Sequence, residues 1–135
     1  MSRAKRLIFF WLPPVLWMGL IYFLSSFHKL QASPVSWQDF IIRKGAHFIE
    51  YAVLYFLFYR ALRKLNNFTV KEILSIALVL TVVYALTDEY HQTLVFGRTG
   101  KVFDIGVDSL GAAFGLVFSW RLVHLLPKKI REVVL

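Results

Sequence analysis

The chain contains no cysteine. This excludes a disulfide framework, a thiolate metal site and a cysteine nucleophile, and it leaves the redox compartment open. Acidic residues are also scarce, eight against sixteen Lys and Arg, so the formal net charge is +8. The basic residues stand in short clusters between apolar runs and form no continuous stripe. That pattern argues against a nucleic-acid partner and is typical of membrane flanks.

Apolar side chains, in contrast, are abundant. Of the 135 residues, 58% are hydrophobic, and the mean hydropathy is +0.59. A soluble domain of this size could not bury so much apolar surface, whereas a polytopic membrane protein exposes it to lipid. About 20 helical residues cross the roughly 30 Å hydrocarbon core of a bilayer. We therefore predict an all-α polytopic membrane protein, a four-transmembrane-helix bundle in a single domain over residues 1–135, with helices at about 7–26, 44–62, 72–92 and 104–126.

The first apolar run follows "SRAKR", which resembles the charged start of a signal peptide. Its length and the lack of a small-residue cleavage site favour a retained helix instead. Pro13 and Pro14 each remove a helix hydrogen bond, so we expect them to kink this helix or to mark its first turn.

The distribution of Lys and Arg predicts the orientation. Eleven of the sixteen flank the start of the first helix, the connection between the second and third, and the end of the fourth. By the positive-inside rule both termini are then cytoplasmic, and the connections near residues 27–45 and 91–103 lie outside.

Most acidic residues fall at the external ends of the predicted helices: Asp39, Glu50, Asp88, Glu89, Asp104 and Asp108. An ionisable group within a membrane segment costs at least a few kcal/mol on insertion scales and usually faces the bundle interior or a wet cavity. Helical spacing places Lys44 and His47 on one face, and Asp88 and Gln92 on another. This pattern predicts an external polar pocket, and a structural ion-pair network with Lys44 and Arg98 is the alternative. For Lys44, a role as an interfacial anchor is a further interpretation.

Three shorter motifs add candidates. In "VFGRTGKVFD", Gly97 and Gly100 bracket Arg98. Its guanidinium is suited to binding a phosphate or carboxylate of a ligand, and an ion pair with Asp88 or Glu89 is the alternative. Ser25 and Ser26 end the first helix and are expected to cap it or to line the pocket. Gly111 and Gly115 have the spacing of close helix contacts, and we expect them to pack inside the bundle.

The order of these motifs resembles the VanZ-like family of small bacterial membrane proteins. The resemblance covers about residues 20–118 and rests on "SS", "KGAH", "DEYHQ", "GR", the aspartate at 104 and "DSLGAAFG". Phe27 stands where the family usually has Gln, and Asp108 where Asn is common. The resemblance implies a bacterial cytoplasmic membrane, multiple spans and an association with low-level resistance to teicoplanin-type glycopeptides.

Two functions compete, with proton-coupled transport third because no relay of ionisable residues crosses the predicted spans. The first is a non-enzymatic envelope protein whose pocket binds an anionic lipid-linked precursor or a glycopeptide at the outer leaflet. Membrane lipids are the other expected partners, and the oligomeric state stays open. The predicted binding residues are Ser26, Lys44, His47, Asp88, Glu89, Gln92, Arg98, Asp104 and Asp108.

The alternative is a membrane-embedded hydrolase or transferase acting on a lipid phosphate or cell-wall intermediate. Its catalytic candidates are Asp88, Glu89, His47 and Asp104, as general base, acid or metal ligands. No signature such as His-Glu-x-x-His is present, so we assign no cofactor and no metal ligands from sequence, without excluding a divalent metal.

Overall fold

The computed structural model describes residues 3–27, 35–64, 68–96, 102–125 and 127. These residues form four helices and no strand, which confirms the all-α prediction. Their bounds are α1 Arg3–Ser25, α2 Ser36–Arg63, α3 Val70–Leu94 and α4 Val102–Leu125.

The start of α2 differs most from the prediction. The helix begins at Ser36, whereas hydropathy placed its start at about residue 44. Arg43 pairs with Asp39 one turn earlier, with Nη2 to Oδ2 at 2.6 Å, so polar residues that resemble a loop belong to the first turns of the helix. Trp37 and Phe40 lie in these turns as well.

Helix α1 begins at Arg3, earlier than the predicted residue 7, because the basic residues before the apolar run are good helix formers. Pro13 and Pro14 therefore lie well inside the helix, and the interpretation that they mark its first turn is wrong.

Three helices are long and apolar enough to cross a membrane: Leu7–Ser25, Val70–Leu94 and Val102–Arg121. Large apolar side chains on these helices, such as Leu16, Val79 and Leu110, are more than half exposed. Helix α2 does not reach the same apolarity among the described residues, since charged side chains interrupt its first half. The fourth span stays a prediction.

Helix α2 lies at the centre of the bundle and packs against α1, α3 and α4. Tyr51, Tyr55 and Tyr59, spaced four residues apart on α2, are fully buried and form the middle of the core. Each hydroxyl has a partner: Tyr51 donates to Asp88, Tyr55 donates to the Leu74 carbonyl, and Tyr59 accepts from Arg63. Hydrogen bonding thus satisfies the three tyrosine hydroxyls that this core buries.

Two aromatic side chains join α1 to its neighbours through backbone carbonyls. The Trp17 indole donates to the Glu50 carbonyl at 2.9 Å, and the Tyr84 hydroxyl donates to the Met18 carbonyl at 2.6 Å. These bonds fix the height of α1 against α2 and α3.

The contact between α2 and α4 depends on two glycines. A Cβ atom at Gly111 would collide with the carbonyl oxygen of Phe48 and lie 3.0 Å from the carbonyl carbon. At Gly115 it would lie 2.8 Å from the Ala52 carbonyl oxygen. The expectation that this glycine pair packs inside the bundle is confirmed.

Basic and aromatic residues meet at the bundle end opposite to the start of α2. Arg60 and Lys64 lie over the Phe10 ring, at 5.7 and 5.6 Å from its centroid, and Arg121 lies 5.6 Å from Trp120. Such pairs are typical of a membrane–water interface.

We predict that Gly111→Ala destabilises the bundle, because the added methyl group must displace the Phe48 backbone. Overpacking of this kind costs about 1–3 kcal/mol. Gly106→Ala on the same helix is the matched control, since no heavy atom lies within 4 Å of its Cβ position. Thermal unfolding in detergent should show a lower midpoint for Gly111→Ala alone; equal midpoints would contradict the assigned close approach.

Candidate functional site

Polar side chains collect at one end of the bundle. They come from the first half of α2, the last turns of α3 and the first turns of α4, which the alternating helix directions bring together. Five of them are buried, with exposed fractions of 9% or less: Asp88, Glu89, Gln92, Asp104 and Asp108. With Lys44 and His47 they form what we call the polar cluster.

Two contacts link α2 to α4 within the polar cluster. The Lys44 ammonium forms an ion pair with Oδ1 of Asp104. One turn deeper, His47 Nδ1 lies 3.3 Å from Oδ1 of Asp108, a carboxylate that is completely buried. Because Lys44 and His47 are one turn apart on α2, as Asp104 and Asp108 are on α4, the pairs repeat at successive turns.

Asp88 connects α3 to α2. Its Oδ2 accepts hydrogen bonds from the Tyr51 hydroxyl at 3.2 Å and from Gln92 Nε2 at 2.9 Å. Tyr51 was not among the predicted site residues, although its place seven residues after Lys44, on the same helix face, was a usable signal. Two neutral donors orient this carboxylate.

His47, Glu89 and Asp108 each offer one potential ligand atom, and these atoms all lie within 4.8 Å of one another. The sequence suggested Asp88, Glu89 and Asp104 as the carboxylates of a metal site, with His47 beside them. The structure groups His47 with Asp108 instead, while Asp88 and Asp104 have the partners described above.

The predicted serine does not belong to the buried polar cluster. Ser26 is exposed, and its hydroxyl donates to the Tyr22 carbonyl at 2.7 Å, whereas Ser25 is 4% exposed. Of the two expected roles for this serine pair, capping the helix or lining the pocket, Ser26 has the capping role. Arg98, with Gly97 and Gly100, lies outside the described residues.

Two further polar residues lie near this end. His91 is half-buried with its ring against Tyr22, 4.3 Å between centroids. Asp39, buried and paired with Arg43, was predicted only to face the external side.

An apolar groove of about 280 Å³ runs along the outer surface of α2 and α4. It begins at Phe48, the residue after His47, and continues towards the basic end of the bundle. The lining residues are Phe48, Ile49, Ala52, Val53, Phe56, Phe114, Gly115 and Phe118. The same two helices therefore present charge at one end and an apolar surface beside it.

Comparison with known families supports the resemblance that was inferred from the order of motifs in the chain. Residues 6–124 match the family model described as VanZ/LLP1. The chain belongs to the VanZ/LLP1 family. The resemblance drawn from the sequence is confirmed, and with three helices of membrane-spanning character the protein is a VanZ-like membrane protein. No curated protein and no solved structure matches the chain significantly.

The match includes the polar cluster and the α2–α4 groove, because both fall within residues 6–124. The roles predicted for Lys44, His47, Asp88, Glu89 and the other cluster residues stay predictions.

We predict that Tyr51→Phe weakens the bundle, because Asp88 then keeps Gln92 as the only one of its two described donors. A hydrogen bond to a charged group contributes about 1.5–3 kcal/mol. Tyr90→Phe is the control, since Tyr90 is 69% exposed on the same end of α3. The readout is the thermal midpoint in detergent, alone and combined with Asp88→Asn. If the two losses simply add, Tyr51 and Asp88 are not coupled.

Proposed function

We propose that this VanZ/LLP1 protein works at the outer face of the bacterial cytoplasmic membrane, where the polar cluster binds an anionic, lipid-linked component of the cell envelope. The single observation that carries the proposal is the continuity of the polar cluster with the apolar groove on α2 and α4. An amphiphile needs both features, a polar site for its headgroup and an apolar surface for its chain.

The orientation is part of the proposal. The contacts of the basic side chains Arg60, Lys64 and Arg121 with aromatic rings lie at the end of the bundle opposite to the polar cluster. Basic residues prefer the cytoplasmic side, so the polar cluster faces outwards and both termini face inwards.

In this arrangement α2 is the fourth span. Its charged residues contact α4 instead of lipid: Lys44 meets Asp104 and His47 meets Asp108. Ionisable groups in membrane segments are tolerated when they face the bundle interior and pair there. The lower apolarity of α2 is therefore compatible with a central transmembrane helix.

For the ligand, Lys44 supplies positive charge at the mouth of the cluster, where its side chain keeps 22% of its exposed surface. A phosphate or carboxylate headgroup competes with Asp104 for this ammonium. Arg98 is the second proposed cation, on the sequence argument given above. The family resemblance supplies the expectation of low-level teicoplanin-type resistance. The protein would give this resistance by binding such a ligand or the glycopeptide itself.

A hydrolase or transferase acting on a lipid phosphate is the second candidate function. The grouping of His47 with Glu89 and Asp108 favours it, because an imidazole next to buried carboxylates is suited to proton transfer. Asp88 and Asp104 are the remaining catalytic candidates. This function requires turnover of a lipid-linked phosphate by the purified protein.

The proposed topology is testable with single cysteines in this cysteine-free chain. Val35 and Phe68 flank α2 and have similar exposed fractions, 40% and 42%. A membrane-impermeant thiol reagent should label Val35→Cys in intact cells and Phe68→Cys only after permeabilisation. Labelling after denaturation confirms that each thiol is reactive. Equal labelling of both positions in intact cells would mean that α2 does not cross the membrane.

The proposed ligand class is testable by antibiotic susceptibility in a sensitive Gram-positive host. Lys44→Gln should remove protection against teicoplanin, whereas the same change at Lys71, exposed at the opposite end of α3, should not. Filling the groove with Ala52→Phe should also remove protection, and Ala113→Phe, exposed on α4 outside the groove, is its control. Vancomycin serves as the comparison antibiotic, at matched membrane levels of each variant.

Unchanged protection with Lys44→Gln and Ala52→Phe would overturn the amphiphile site. If the wild-type chain gives no protection, the resistance role is wrong for this protein. Lipid binding by the purified protein, wild type against the same four variants, would then test the ligand class directly.

A further inference from the structure

We propose that His47, Glu89 and Asp108 bind a divalent first-row metal ion, Zn²⁺ or Mn²⁺, inside the polar cluster. The inference deepens the proposed function and rests on it for a physiological role, because the metal would lie in the same site. Its physical basis is the donor geometry of three residues on three different helices.

The distances suit a shared ion. All three potential ligand atoms lie within 4.8 Å of one another. His47 Nδ1 and Asp108 Oδ1 are 3.3 Å apart. Two atoms that each lie about 2.1 Å from a tetrahedral metal are separated by about 3.4 Å. The imidazole and the carboxylate are thus already at the spacing of two ligands.

Asp108 supplies an independent observation. Its side chain is completely buried, and neither carboxylate oxygen accepts a well-aligned hydrogen bond from a described residue. His47 Nδ1 likewise lacks an aligned hydrogen bond within the described part of the chain, despite its closeness to Asp108. Buried polar atoms are nearly always hydrogen-bonded, so this pair of groups calls for a partner, and a metal ion between them provides one.

The donor set indicates the class of metal. A neutral imidazole with two carboxylates carries two negative charges, which balance a divalent cation in a medium of low dielectric constant. Imidazole favours Zn²⁺ and related ions, while carboxylates also suit Mn²⁺; Mg²⁺ and Ca²⁺ prefer oxygen ligands alone. Three protein ligands leave a coordination position for water or for a phosphate oxygen of the ligand.

The surroundings fit a metal site that exchanges with the outside. The His47 side chain is 19% exposed, so an ion can reach the cluster along its edge. Asp88 and Asp104 both interact electrostatically with Asp108. Because Lys44 offsets the charge of Asp104, the added negative potential around the site comes from Asp88. Tyr51 and Gln92 hold Asp88 in place beside the proposed ligands.

The test is direct metal binding by the purified, tag-free protein in detergent, measured by equilibrium dialysis with Zn²⁺ and with Mn²⁺. We expect about one ion per wild-type chain. Glu89→Gln, Asp108→Asn and His47→Asn should each weaken binding by more than about tenfold, because loss of a supporting residue alone has that effect at characterised sites.

Two of these changes have a matched control at the other end of the bundle. Glu72→Gln repeats the change of Glu89→Gln on the same helix, and it retains the helix cap because Gln also suits the capping box with Thr69. His124→Asn repeats the change of His47→Asn at an exposed position of α4. Neither control should alter binding of the metal.

X-ray absorption on the Zn²⁺-loaded wild type needs no variant and covers the case in which a substitution prevents folding. One imidazole with oxygen ligands would support the site, whereas two or more imidazoles would assign the metal elsewhere. Absence of saturable binding, or full binding by folded Glu89→Gln and Asp108→Asn, would overturn the inference.

The two proposals fail separately. Metal binding that persists while Lys44→Gln and Ala52→Phe keep full protection would leave the metal site and remove the anionic ligand. Protection that depends on those two residues in a protein that binds no metal would leave the proposed function without its ion.

Discussion

The close approach of α4 to α2 is the constraint on which the polar cluster depends. Gly111 and Gly115 let the two backbones meet at Phe48 and Ala52. Aspartate is a short side chain, so Asp104 and Asp108 reach Lys44 and His47 only because the helices are this close. A wider separation would leave four ionisable groups without these contacts, at a cost of several kcal/mol for each buried charge. The close packing at Gly111 and Gly115 is thus required for the contacts of Asp104 and Asp108 with α2.

The centre of the bundle is unusual in being both aromatic and polar. The Tyr51, Tyr55 and Tyr59 rings fill the space between helices, while their hydroxyls satisfy a carboxylate, a carbonyl and a guanidinium. An aliphatic core would pack as well but could not hold Asp88 in a fixed orientation. The polar cluster is therefore anchored from below by the core itself, and its geometry does not depend on the connections between helices alone.

Much of this arrangement could be predicted from the sequence, because hydropathy and helical spacing are local signals. They give three spans to within a few residues and place Lys44 with His47, and Asp88 with Gln92, on common faces. The start of α2 could not be predicted in this way, since the Asp39–Arg43 pair makes a helical turn resemble a loop.

The partners across helices are also beyond local signals. Whether His47 meets Asp88, Asp104 or Asp108 depends on the rotation and offset of whole helices, which the glycine contacts set. A rotation of one residue likewise decides that Ser25 is buried and Ser26 is not. Such choices depend on long-range packing, and spacing within one helix carries no information about them.

The bonds that hold α1 have a consequence for how this sequence can vary. Trp17 and Tyr84 donate to main-chain oxygens, those of Glu50 and Met18, and every residue type carries such an oxygen. Replacing the side chains of Glu50 or Met18 leaves both bonds in place, whereas replacing Trp17 or Tyr84 removes them. The tolerance of each contact to substitution is therefore one-sided: the donor's identity is fixed, and its acceptor is free to drift during evolution.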